Sequence, residues 1–295
     1  MTEPATGIVE KTRTFLEMIK FSHTVFALPF ALTAALLAAT GLPQPAQIFW
    51  IIMAMVGART TAMGLNRLVD AEIDGKNPRT ATRAIPAGLL SKGSVAAFVI
   101  LSILLLLFAA YRLNPLCLKL SPIALFFLAL YSYCKRFTAF AHVVLGICLA
   151  GAPIGAWIAI RGEVSLPPII LGAAVLFWVA GFDILYALQD LEFDKSVGLH
   201  SIPVSLGVSG SLWLARIFSA IMILLLLWLR FALELGLPFL CGIAAASLLL
   251  LYEHLLLKDG DLTKLDLAFF TMNGYVSIII LIATFAEIFV PGGGR

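Results

Sequence analysis

Charge is what this chain has least of. Only 13% of its 295 residues are Asp, Glu, Lys or Arg, while 61% are hydrophobic and the mean hydropathy is +1.02. A soluble domain carries about 25% charged residues, so a water-soluble globule is excluded. Cysteine is scarce as well: Cys117, Cys134, Cys148 and Cys241 are the whole set, with no C-x-x-C spacing. They offer neither a disulfide framework nor a thiolate metal site and read as small buried residues. No cleavable signal is evident, because the opening is polar and Pro-containing sequence follows the first apolar run. The formal charge of +3 gives no reason to expect a nucleic-acid partner.

What the chain does have is apolar runs long enough to cross a lipid bilayer. The expectation is an all-α polytopic membrane protein with nine transmembrane helices, near residues 24–39, 46–69, 94–111, 116–133, 143–160, 167–188, 212–229, 237–257 and 267–290. It reads as one transmembrane domain over residues 1–295. Residues 1–23 form an amphipathic segment on the membrane surface, and residues 70–92 and 191–209 form the loops of the active site. Gly146, Gly151, Pro153 and Gly155 loosen the fifth span and permit close helix contact. Lys and Arg gather at the span ends that carry the motifs described next. The positive-inside rule therefore places those motifs in the cytoplasm and the chain in a bacterial inner membrane.

Where charge appears, it is concentrated. Asn66, Asp70 and Asp74 recur at i, i+4 and i+8, on one helix face. Stacked carboxylates repel one another, and a hard divalent cation with oxygen ligands, Mg2+ above all, relieves the repulsion. Arg79 and Arg83 follow, in a loop with Gly75 and Pro78; guanidinium forks beside a metal-holding carboxylate suit phosphate. The pattern recurs as Asp190 and Asp194 with Lys195, and both copies are trailed by an Ile-Pro element, Ile85-Pro86 and Ile202-Pro203. This reads as an internal duplication whose acidic faces meet across a pseudo-twofold axis. Lys135-Arg136 is a short basic loop. Arg59, deep in the second span, is a functional candidate because an intramembrane charge is costly. Asp183 reads either as another ligand or as a supporting partner; His142, His200 and His254 read as interfacial polar residues. An acidic pocket with interleaved bases, opening on a greasy bundle, suits a phosphate carrying a lipid tail: an isoprenyl diphosphate, whose leaving group a metal and bases would neutralise.

These motifs resemble those of a known family. Asn66-x-x-x-Asp70-x-x-x-Asp74 with Arg79-Thr80-x-x-Arg83-x-x-Pro86-x-Gly88, Tyr186-x-x-x-Asp190-x-x-x-Asp194 with Gly198 and Ser201, and Tyr133-Cys134-Lys135-Arg136-Phe137-Thr138 fall in the order found in the UbiA superfamily of intramembrane aromatic prenyltransferases. The resemblance spans essentially the whole chain. It implies that Asn66, Asp70, Asp74, Asp190 and Asp194 hold Mg2+ and diphosphate, and that Arg79, Arg83, Lys135, Arg136 and Lys195 grip the diphosphate. It also implies that Tyr186 borders the reaction centre. The partners it implies are a polyprenyl diphosphate and an aromatic carboxylic acid acceptor attacked at a ring carbon. Arg67 stands where many members have Asp, and His200 where many have Lys. The first-span stretch Lys20-Phe21-Ser22-His23 resembles a bacterial 4-hydroxybenzoate polyprenyltransferase branch, some of which serve menaquinone synthesis with a dihydroxynaphthoate acceptor. Lys20, His23 and Arg59 are the candidates for facing the acceptor carboxylate. The rivals are a cation-coupled inverted-repeat transporter and a sibling enzyme acting on haem or chlorophyllide.

Overall fold

The computed structural model describes residues 7–18, 26–257, 265 and 271–290. Among these residues every regular element is helical. Helix α1 (Ile8–Met18) precedes α2 (Ala27–Ala39), α3 (Pro45–Lys76), α4 (Lys92–Leu113), α5 (Pro115–Cys134), α6 (Ala141–Arg161) and α7 (Leu166–Ala187). A 3-10 turn (Leu188–Asp190) and α8 (Leu191–Ser196) follow, then α9 (Ile202–Ala232), α10 (Leu237–Leu256) and α11 (Asn273–Phe289).

Among the described residues, seven of these segments are long and apolar enough to cross a membrane, α7 running on through α8 as one of them. Helices α2 and α11 are apolar but shorter. Seven of the nine expected spans thus have full-length helices; the first and last fall partly on residues 19–25 and 266–270, outside the description, and only the short helices α2 and α11 are described there.

Two boundaries differ from the sequence reading. Helix α3 continues through Asp70 and Asp74 to Lys76, so the first loop begins at Asn77. Helix α9 begins at Ile202, capped by the Ser201 hydroxyl accepting from the Val204 amide, ten residues before the expected span. It bends at Gly207, whose φ of 67° lies in the left-handed region that glycine alone enters cheaply. Helix α1 is more than a surface helix: Phe15 is buried among Ala84, Leu90 and Val95 and stacks on Phe98 at 4.4 Å. It therefore anchors the loop that follows α3 to α4.

The packing that positions the site rests on two close approaches. A Cβ on Gly57 of α3 would stand 2.8 Å from the Leu106 backbone nitrogen of α4. A Cβ on Gly146 of α6 would stand 2.5 Å from the Leu176 carbonyl oxygen of α7. Both glycines let backbones meet where any side chain would hold them apart. Gly151 and Gly155 face open space, so the expected close contact in this helix falls at Gly146. The main core lies around Trp178 and Phe30, where α2, α6, α7, α9, α10 and α11 converge.

Candidate active site

The ends of α3, α5 and α7 and the start of α6 lie at one end of the bundle, because consecutive helices run antiparallel. Helix α3 starts cleanly, with Pro45 in its first turn and a reciprocal capping box between Gln44 and Gln47. It has no internal proline, so its last turns carry Asn66, Asp70 and Asp74 rigidly into the site. The Asn66 side-chain amide donates to Asp70 Oδ2 at 2.7 Å and accepts from Arg67 at 3.2 Å.

Each carboxylate of the two motifs meets a basic side chain. Arg136 Nη2 lies 2.9 Å from Asp70 Oδ1 and also donates to the Val69 carbonyl at 2.9 Å. Arg83 Nη1 donates to Asp74 Oδ1 at 2.6 Å, and buried Arg67 approaches Asp74 Oδ2 at 3.8 Å. Arg79 grips Asp190 as a fork: Nε donates to Oδ1 at 2.8 Å and Nη2 to Oδ2. Asn77 Nδ2 donates to the same carboxylate at 3.0 Å. Lys135 Nζ stands 3.5 Å from Asp194 Oδ2. The Arg79 guanidinium also lies 5.7 Å from the centre of the Tyr186 ring, within cation–π range.

These contacts join the two acidic motifs. The first loop reaches the second motif through Asn77 and Arg79, whose partner Asp190 lies 111 residues further on. Neighbouring Lys135 and Arg136 reach one motif each. The His200 amide donates to the Lys135 carbonyl at 2.8 Å and ties the second loop to the same segment. Burial alone would lower the Arg79 pKa, but hydrogen bonds and charge from Asp190 outweigh it and raise it. That guanidinium stays charged at any working pH.

The donor set fits a hard divalent cation: the facing groups are carboxylate and carboxamide oxygens, and Asp74 Oδ2 and Asp194 Oδ2 are buried without a hydrogen-bond partner among the described residues. Among those residues no three His, Cys, Asp or Glu side chains converge on one point. The carboxylates are instead spaced by the cations between them.

Not every expected residue joins this cluster. Lys195 pairs with Glu192 at 3.3 Å on the exposed side of α8. Arg59 lies two turns deeper along α3 than Asn66. Lys20 and His23 fall outside the described residues. Sequence reasoning missed Asn77 and the placement of Arg67, although a buried Arg beside Asn66 carried the signal already used for Arg59. It also took His142 and His254 for interfacial residues. His142 is fully buried, with Nδ1 2.7 Å from Asp183 Oδ2. His254 Nε2 is 2.9 Å from the Ser219 hydroxyl.

Comparison with known proteins gives a consistent set. The profile described as the UbiA prenyltransferase family matches residues 27–275. A 4-hydroxybenzoate octaprenyltransferase of Francisella tularensis subsp. novicida is 30% identical over 251 residues, which are 85% of this chain and 88% of the relative. The apo structure of a UbiA homolog from Aeropyrum pernix K1 superposes with a TM-score of 0.82 at 32% identity, covering 90% of this chain and 98% of that one. A UbiA homolog from Archaeoglobus fulgidus, solved bound to DMAPP and Mg2+, shares the fold with a TM-score of 0.70 at 20% identity, covering 94% and 99%.

Proposed function

Because this chain belongs to the UbiA prenyltransferase family, we propose that it transfers a polyprenyl group from a polyprenyl diphosphate to a ring carbon of an aromatic carboxylic acid. The acceptor we propose is 4-hydroxybenzoate or 1,4-dihydroxy-6-naphthoate, as in ubiquinone or menaquinone synthesis. The observation that carries the proposal is the joining of both acidic motifs through Asn77, Arg79, Lys135 and Arg136 into one polar site.

The charge balance supports a diphosphate ester. Arg67, Arg79, Arg83, Lys135 and Arg136 face Asp70, Asp74, Asp190 and Asp194, which leaves one positive charge in excess. A prenyl diphosphate trianion with one Mg2+ carries one negative charge and balances it. Asn66, Asp70, Asp74, Asp190 and Asp194 would hold the metal, which supplies charge neutralisation to the departing diphosphate. Arg79, Arg83, Lys135 and Arg136 would turn from carboxylate to phosphate oxygens and hold the leaving group in one orientation. Breaking the allylic C–O bond places positive charge on carbon, and the Tyr186 ring beside Arg79 borders that centre. Arg59, deeper in the bundle, would face the acceptor carboxylate, with Lys20 and His23 the further candidates. The polar end of the bundle would face the cytoplasm of a bacterial inner membrane.

The test is the purified chain in liposomes, given a mixture of prenyl diphosphates, Mg2+ and both acceptors, with product masses read directly. A C-prenylated hydroxyaromatic acid is expected, and its formation should stop when EDTA is added. Prenylation of haem or a chlorophyllide instead, or no prenylated product at all, would overturn the reading.

A further inference from the structure

One buried pair takes no part in the cluster of ion pairs described above. Asp183 lies on α7, one helical turn before Tyr186 and two before Asp190, on the same face and deeper in the bundle. Its Oδ2 is held by His142 Nδ1 at 2.7 Å, from the first turn of α6. The helices meet closely enough for this because Gly146, one turn beyond His142, lies against the Leu176 backbone. The Asp183 side chain is 19% exposed, so part of its carboxylate stays open beside that bond. His142 is fully buried, and its Nε2 also has no partner among those residues.

That asymmetry fixes the chemistry of the pair. A buried N–H without an acceptor costs more than a bare ring nitrogen without a donor. His142 therefore carries its proton on Nδ1 and donates it to Asp183, whose carboxylate is the acceptor in that bond. A buried imidazole with no route to water is poorly placed as a shuttle but well placed as a clamp. The open part of the carboxylate is thus presented in a fixed direction. Asp183 shares its helix face with Tyr186, one turn nearer the second acidic motif, so the carboxylate lies on the side of α7 that leads to the charged site. An ionisable group kept half-open in the membrane part of a bundle calls for a ligand.

We propose that Asp183, oriented by His142, accepts the hydroxyl proton of the aromatic acceptor as its ring carbon is prenylated; this rests on the functional reading above. The bond bookkeeping is closed. The ring carbon forms a bond to the allylic carbon while the C–O bond to diphosphate breaks, its electron pair leaving with the diphosphate. The hydroxyl proton passes to Asp183, so the ring becomes a neutral dienone instead of a cation. The proton on the prenylated ring carbon then leaves to the released diphosphate. Its electron pair restores aromaticity, and the phenolate recovers its proton from Asp183. Asp183 is the catalytic residue and His142 a positioning residue.

The experiment compares wild type, D183N, H142F and H142Q in liposomes, using the hydroxyaromatic acid that the wild type prenylates and ring-fluorinated analogues with more acidic hydroxyls. Asp183→Asn should lower kcat about 100-fold, with the KM for prenyl diphosphate unchanged. The wild-type to D183N ratio should shrink steadily as the acceptor hydroxyl becomes more acidic, because a ready phenolate needs no base. His142→Phe should show a smaller loss with the same trend, and His142→Gln, which keeps a donor toward Asp183, should recover most of it. If D183N does not fold, the H142F and H142Q pair reads the same trend. A ratio independent of acceptor acidity, a loss confined to donor KM, or full activity in D183N overturns the assignment while leaving prenyl transfer intact. A wild-type chain that prenylates no hydroxyaromatic acid overturns both.

Discussion

At the scale of single residues, the site depends on how its cations are divided among its carboxylates. Asp190 is the most fully bonded, receiving the Arg79 fork and the Asn77 amide. Asp190→Asn removes the charge and turns an amide nitrogen toward one of these donors, so activity should fall at least 100-fold and the thermal midpoint should drop as well, while the helical far-UV spectrum of the purified protein is retained. Wild-type turnover would remove Asp190 from the metal set. Arg79→Lys replaces a fork by a point charge and should act differently: the KM for prenyl diphosphate should rise about tenfold, with kcat retained in larger part. Initial rates across a donor titration separate the two outcomes. The acidic residues and most of their basic neighbours were legible in the sequence, because charge at helical spacing inside an apolar chain has little other purpose. Their pairing was not. Which Arg meets which Asp depends on helix packing, and Asn77, one polar residue in a polar loop, carried no mark of its reach to Asp190. The His142–Asp183 pair was hidden for the same reason: its members lie 41 residues apart and meet only because two helices touch.

At the scale of helices, glycine placement decides whether those side chains meet. Gly146 sets the distance between α6 and α7 one turn from His142. Gly146→Val would press a branched side chain against the Leu176 backbone. The overpacking should cost about 1–3 kcal/mol, seen as a lower thermal midpoint in detergent. It should also reproduce the His142→Phe loss of turnover by separating His142 from Asp183. The same change at Gly155, which faces open space, should leave both properties near wild type and serves as the control. Loss of stability at both positions would mean that helix propensity, and not contact, is being measured. Seven of the nine expected spans were legible from hydropathy, most of them to within a few residues. Less legible were the helix extensions beyond the apolar runs, where α3 carries its acidic residues to Lys76 and α9 starts at Ile202. Polar residues continue a helix wherever caps and packing allow, so an apolar run marks the least length of a membrane helix and not its end.

For the whole molecule, the division of charge between the bundle's two ends is the governing feature. Asp74, Lys135, Arg136, Asp190 and Asp194 all lie where α3, α5 and α7 finish, while Arg112, Arg161 and Arg230 lie where α4, α6 and α9 finish, at the opposite end. The fuller set of Lys and Arg at the first end predicts that it faces the cytoplasm. The head group of a diphosphate ester bears several charges and does not cross lipid, so with that orientation the site would take its donor's head group from the cytoplasmic side. The arrangement is testable without any activity. With the four native cysteines replaced by serine, Thr138→Cys in the Lys135-Arg136 loop should react with a membrane-impermeant maleimide only in inverted vesicles. Glu163→Cys, between α6 and α7, should react in intact spheroplasts. The reverse pattern would place the acidic motifs outside, away from cytoplasmic substrates. Labelling of Thr138→Cys should also fall when prenyl diphosphate and Mg2+ are added, since the loop that carries it supplies both Lys135 and Arg136 to the site. Protection by the donor together with Mg2+, and not by Mg2+ alone, would tie the topology of the bundle to the chemistry proposed for its charged end.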